Sequence, residues 1–133
     1  MHRKLVNLPE PSALVCGILE DGDRALFLKR QHATGGDAIE LPSILITKAE
    51  NPVSSLSSAF REKTGIDAQV HEVLFERRYN VGSRKRKKSI PVLCFKLSAK
   101  NAKAVPGTGF SGYAWLTIEQ ARAMKKSKNT EWL

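Results

Sequence analysis

The stretch NPVSSLSSAFREKTG, residues 51–65, predicts one helix whose two ends can both be read from residue type. Asn51 suits the N-cap, Pro52 occupies the first helical position where its missing N–H leaves no bond unmade, and Gly65 suits the left-handed residue that stops the helix. Val53, Leu56 and Phe60, with Ala59 beside them, form an apolar stripe, and Ser55, Ser58 and Glu62 lie on the other side. Four serines are poor helix formers, so tertiary packing rather than propensity must hold this segment. Whatever fold the chain adopts has to cover that stripe.

The segments on either side are extended in pattern. SALVCGILEDGDRALFLKRQ reads as two strands joined by Glu20-Asp21-Gly22-Asp23, because Asp-Gly accepts the positive dihedrals of a tight hairpin turn. QHATGGDA follows as a loop, Glu40-Leu41-Pro42 as an extended piece, since a residue before proline is pushed out of the helical region, and Ile44 to Thr47 as a short β-branched strand. After the helix, Ile66 to Tyr79 predicts a long strand, Asn80-Val81-Gly82 a turn, Arg84 to Lys88 a basic tip, and IPVLCFKLS the return strand. Residues 99–112 form a second loop. Tyr113 to Leu116 reads as a last strand, and Thr117 with Gln120 forms a capping box for a helix running to about Met124.

At 133 residues the chain is long enough for a real core and too short for two ordinary domains, so a single domain over 1–133 is expected. It holds no run of eighteen apolar residues and MHRKLVNLPEP lacks the apolar stretch of a signal peptide, which predicts a soluble, cytoplasmic protein with no membrane partner. Cys16 and Cys94 sit in apolar runs without CxxC spacing and read as buried free thiols. His2, His32 and His71 match no metal-ligand spacing. The net charge of +9 is unevenly placed. Residues 77–133 carry fourteen Lys and Arg against Glu119 and Glu131, a balance of +12, whereas residues 1–76 carry eight against eleven acids, a balance of −3. Cations clustered in this way favour a polyanionic partner, because binding releases condensed counterions.

The order of elements resembles the Nudix hydrolase fold over nearly the whole chain, and four stretches carry the resemblance: LFLKRQ, IELP, REKTGI and YAWLTIEQA. It implies an α/β fold of α+β type, an α/β/α sandwich with a mixed central sheet. It also implies a catalytic box in which helix glutamates three and four residues apart project from one face and gather divalent cations on a diphosphate. Setting the end of that box on Gly65 and Ile66 places its first glycine at Ile44, its first glutamate at Glu50 and its arginine at Ser58. The three helix glutamates then fall on Ala59, Glu62 and Lys63, leaving one carboxylate of three. A three-residue shift onto Arg61-Glu62 rotates the set by roughly 300° and finds no second pair of acids. Ser43 and Ile44 replace flexible glycines, so this loop is expected to be strand-like.

The box is therefore read as degenerate, with Lys63 taking part of the space of a missing cation and either pairing with Glu62 or meeting a phosphate. The same two residues also fit a solvated helix face. Lys29, Arg30, Glu40 and Lys63 are the candidate ligand-binding residues; Glu62 is the residual catalytic candidate, and Glu62 with Glu50 the metal candidates. Glu50 equally suits the helix N-terminal dipole. Arg77, Arg78, Arg84, Lys85, Arg86, Lys87 and Lys88 are the candidate nucleic-acid-binding residues, with Tyr79 or Phe110 available for stacking; a solvated tip that discourages strand pairing is the other reading. Three functions follow. The first is binding of a nucleotide or nucleic-acid phosphate without efficient hydrolysis and without a cofactor. The second is Mg2+- or Mn2+-dependent hydrolysis of nucleoside diphosphate-linked substrates, with acids such as Glu72 or Glu76 recruited around Glu62. The third is an RNA-binding or assembly role for the basic hairpin, with a homodimer left open.

Overall fold

A computed structural model describes residues 10–31 and 35–133. His2, His32 and the middle of the expected 31–38 loop lie outside the described residues. Among the described residues seven strands, β1 (Ala13–Asp21), β2 (Arg24–Gln31), β3 (Asp37–Glu40), β4 (Ser43–Ile46), β5 (Gln69–Asn80), β6 (Ser89–Ser98) and β7 (Gly112–Leu116), join two helices, α1 (Pro52–Thr64) and α2 (Ile118–Arg122), and a 3-10 turn, Lys128–Thr130. The strands form one mixed sheet in the order β3-β2-β1-β6-β5, with β4 on β1 and β7 on β2. β1 runs parallel to β6 from Leu14↔Val92 to Leu19↔Leu97. Along its other edge it pairs first with β4, from Ala13↔Ile46 to Cys16↔Ser43, and then with β2 at Glu20↔Ala25 and Asp21↔Arg24. Between those two pairings the Gly17 amide donates to the Pro42 carbonyl at 2.9 Å. Glu40, Leu41 and Pro42 are thereby held against the centre of the sheet.

Each sheet face has its own core. Leu56 and Phe60 of α1 pack with Val15, Leu19, Leu26, Phe95 and Leu97. On the opposite face Ala121 of α2 packs with Leu14, Cys16, Phe27, Ile39, Val92 and Cys94, and Ile118 and Trp132 lie against that cluster. A helix on either side of a mixed sheet is the expected α/β/α arrangement. Cys16 and Cys94 are opposed in register on β1 and β6, buried and free; burial pushes the Cys16 thiol well up from its ordinary range.

The ends of α1 follow the sequence: Asn51 Oδ1 accepts from the Val53 and Ser54 amides, and Gly65 has φ 73°. Its buried side is Leu56, Ala59, Phe60 and Thr64. Val53, expected in the stripe, is 45% exposed because it sits in the first turn, and Thr64 extends the buried row at the other end. Thr64 is tolerated there because its hydroxyl donates to the Phe60 carbonyl at 2.7 Å and accepts from the Ile66 amide at 3.1 Å. The capping box of Thr117 and Gln120 is formed, but α2 stops at Arg122, short of Met124. Ser43 and Ile44 lie in β4, the extended conformation expected once glycine is absent.

Candidate functional site

β2 and β3 place the first two candidates. Leu28 is opposite Glu40 and Arg30 opposite Ala38, and alternation along a strand puts Leu26, Leu28 and Arg30 on the α1 face. Glu40 projects to that same face and is 1% exposed. Arg30 Nε donates to Glu40 Oε1 at 2.8 Å, and its guanidinium lies 4.6 Å from the centre of the Phe110 ring. Asn129 Nδ2 donates to Glu40 Oε2 at 3.2 Å and to Ser43 Oγ at 3.1 Å. Burial alone would raise the Glu40 carboxyl, but the Arg30 and Asn129 hydrogen bonds outweigh it and hold the group below its usual range. Lys29 points the other way, with Phe27, and only its backbone joins the site, its carbonyl accepting from the Ser111 amide at 2.8 Å.

α1 supplies the cation. Lys63, half-buried in the last turn, extends Nζ to the Ser43 carbonyl at 2.5 Å. Burial lowers its pKa, Glu40 raises it and Arg30 lowers it again, with a net shift downward. The loop that follows β6 closes over this end of the helix. Val105 N donates to Thr64 O at 2.7 Å and Gly107 N to Lys63 O at 2.9 Å, satisfying carbonyls that a helix end leaves open. Phe110, from the same loop, meets Arg30. The C-terminal segment closes the opposite side: Ile39 N donates to Lys125 O at 2.9 Å, Ser127 N to Ile39 O at 2.9 Å, and Leu41 N to Thr130 Oγ1 at 3.1 Å.

Glu62 and Glu50 do not join this cluster. Glu62 is exposed, and its side chain has no hydrogen bond or ion pair among the described residues. Glu50 Oε1 accepts from the Thr47 amide at 3.0 Å, in the turn before α1. Lys63 makes no ion pair with Glu62 within 4.0 Å; it is anchored to a backbone carbonyl instead. Among the described residues no three of His, Cys, Asp and Glu converge as a metal site would require. The donor set thus fits a divalent cation poorly, because an ammonium holds the carbonyl and Glu40 is already committed to Arg30 and Asn129.

In the basic hairpin, Arg77 lies 4.7 Å from the Phe75 ring centre and donates to Glu76 O at 2.8 Å. Arg78 donates from Nε to Ser89 Oγ at 2.9 Å and from Nη2 to Ser89 O at 3.0 Å. Arg84, Lys85, Arg86 and Lys87 are exposed at the tip, and Lys88 pairs with Glu10 at 2.6 Å. Asn129, the Ser43 carbonyl and the Arg30–Phe110 stack are the parts of the site that the sequence did not suggest. Asn129 is 89 residues from Glu40, and no spacing rule links them.

Several solved structures of the same shape are named as Nudix hydrolases or Nudix domains. A NUDIX hydrolase from Nitrosomonas europaea superposes with a TM-score of 0.66 at 17% identity, over 89% of this chain and 82% of that one. The chain has the Nudix fold. The E. coli dihydroneopterin triphosphate pyrophosphohydrolase gives 0.66 at 16% identity over 91% of this chain and 90% of that one. The NUDIX domain of Shewanella oneidensis NrtR, solved in complex with ADP ribose, gives 0.60 at 16% identity, over 93% and 84%. Neither a protein-family model nor a curated protein matches the sequence. At these identities the likeness speaks for the Nudix fold alone.

Proposed function

We propose that this chain recognises a nucleotide or another phosphate-bearing ligand at the Arg30–Glu40–Lys63 site and does not hydrolyse it through a divalent metal. The observation that carries the reading is the Lys63 ammonium on the Ser43 carbonyl. Its position between a backbone oxygen and a buried carboxylate gives the site a fixed positive charge that needs no metal, and its remaining N–H bonds are free to meet an anion. Arg30, 45% exposed while ion-paired to Glu40 and stacked on Phe110, offers a planar donor held in place from two sides. Two neighbours in fold are named for a nucleotide-like ligand or substrate, ADP ribose in one and dihydroneopterin triphosphate in the other, which makes ADP ribose a sensible first probe.

Isothermal titration tests the reading directly. ADP ribose should bind equally with EDTA or with Mn2+, and Lys63→Met should weaken that binding by at least tenfold, the effect of about 1.5–3 kcal/mol for a hydrogen bond to a charged group. Micromolar Mn2+ binding that disappears in Glu62→Gln, or release of AMP at an enzyme-like rate once Mn2+ is added, would instead establish the hydrolase.

A further inference from the structure

A second concentration of unused chemistry lies where the tip of the β5–β6 hairpin meets the C-terminal 3-10 turn. There a cleft of about 480 Å3 is lined by Arg78, Tyr79, Arg84, Lys128, Glu131 and Trp132, among others. None of these residues belongs to the Arg30–Glu40–Lys63 site. The two aromatic rings are half-buried. Trp132 packs on Phe75 with ring centres 6.3 Å apart, and its indole N–H donates to the Asn129 carbonyl, so the ring is held in one orientation. Tyr79 lies on the same core cluster, and burial, then the charge of Glu131, raises its hydroxyl pKa and keeps it neutral.

The cations around the rings differ in how they are held. Arg78 is fixed by its two bonds to Ser89, which set the plane of its guanidinium. Arg84 and Lys128 are exposed, and their side chains have no hydrogen bond or ion pair among the described residues. The tip that carries Arg84 is itself ordered. Asn80 Oδ1 accepts from the Gly82 and Lys88 amides at 3.0 and 2.9 Å, Ser83 Oγ accepts from the Arg86 amide at 3.0 Å, and a Cβ at Gly82 would lie 2.0 Å from the Arg86 carbonyl. A loop folded on itself in this way presents its cations from a defined platform. By contrast, Lys88 is neutralised by Glu10, and Arg77 is turned onto Phe75.

We infer that this cleft binds single-stranded nucleic acid, with the backbone phosphates on Arg78, Arg84 and Lys128 and one base against Tyr79 and Trp132. Aromatic faces beside a cationic track are what an unpaired base and its phosphates require, and a duplex hides the face that stacks. Glu131 repels phosphate from the aromatic end and so fixes which part of the nucleotide lies there. An acidic protein would find the cations but would have no use for the rings.

Trp132 provides the readout. Titration with a dodecamer of uridylate should quench Trp132 emission over a constant background from Trp115, which lies against the other core. Affinity should fall with salt along a log–log slope near −2, from about −0.7 for each of three phosphate contacts on a single strand. Arg84→Ser with Lys128→Ser changes two exposed side chains; it should weaken binding at least tenfold and flatten the slope by about 1.4, with unfolding in urea unchanged. A deoxyuridylate dodecamer distinguishes the sources: quenching by either strand supports the inference, and their ratio reports whether the sugar is read. No quenching, equal affinity for a duplex or for poly-glutamate of the same charge, or an unaffected double variant would each overturn it.

Discussion

Reversing the charge at position 63 asks the most of a single residue. Lys63→Glu would set a carboxylate against the Ser43 carbonyl and close to buried Glu40, replacing an attraction by two repulsions. The variant should unfold at lower urea than the parent in EDTA. Glu40 gives a pH-dependent counterpart. Its folded pKa lies below the ordinary 4.5, so its contribution to stability is complete above that value and is lost as pH falls through the folded value. Glu40→Gln should therefore cost about 1.5–3 kcal/mol at neutral pH, toward the low end because Arg30 is half exposed, and should make the decline below pH 4.5 shallower in urea titrations at stepped pH.

At the scale of elements, α1 and the loop after β6 behave as one unit. Gly107 lies so close to the helix end that a Cβ there would be 2.5 Å from the Glu62 carbonyl. Gly107→Ala should push the loop away, uncover the Lys63 carbonyl and weaken ADP ribose binding, with about 1–3 kcal/mol lost on equilibrium unfolding. Asn51→Ala, at the other end, should cost about 1 kcal/mol and leave the ligand unaffected. What could be read from the sequence follows from the range of the forces involved. The caps of α1, the Asp21-Gly22 hairpin and the Thr117–Gln120 box are local, so residue type at a fixed spacing reveals them. The partners that complete the site were not legible: Asn129 reaches Glu40 across 89 positions and Lys63 reaches Ser43 across 20, through tertiary packing alone.

The whole molecule turns on β1, which is bonded to β6 along one edge and divides the other between β4 and β2. Gly17 sits at that division, and a Cβ on it would lie 2.5 Å from Leu97 Cδ1 and 3.1 Å from Phe60 Cδ1. Gly17→Ala should thus strain the sheet and α1 together and destabilise the protein by about 1–3 kcal/mol in urea unfolding. At the edge of the sheet β5 carries two register shifts and four charged residues, Glu72, Glu76, Arg77 and Arg78, devices that discourage another strand from adding there. The stitching of Ile39 and Leu41 to Lys125, Ser127 and Thr130 bears on how the protein matures. A nascent polypeptide halted before position 125 would already hold every strand, yet Glu40 would lack Asn129 and the Leu41 amide would have no acceptor. The Arg30–Glu40 site would then be completed abruptly, once residues 125–130 have left the ribosome, rather than growing in step with the sheet.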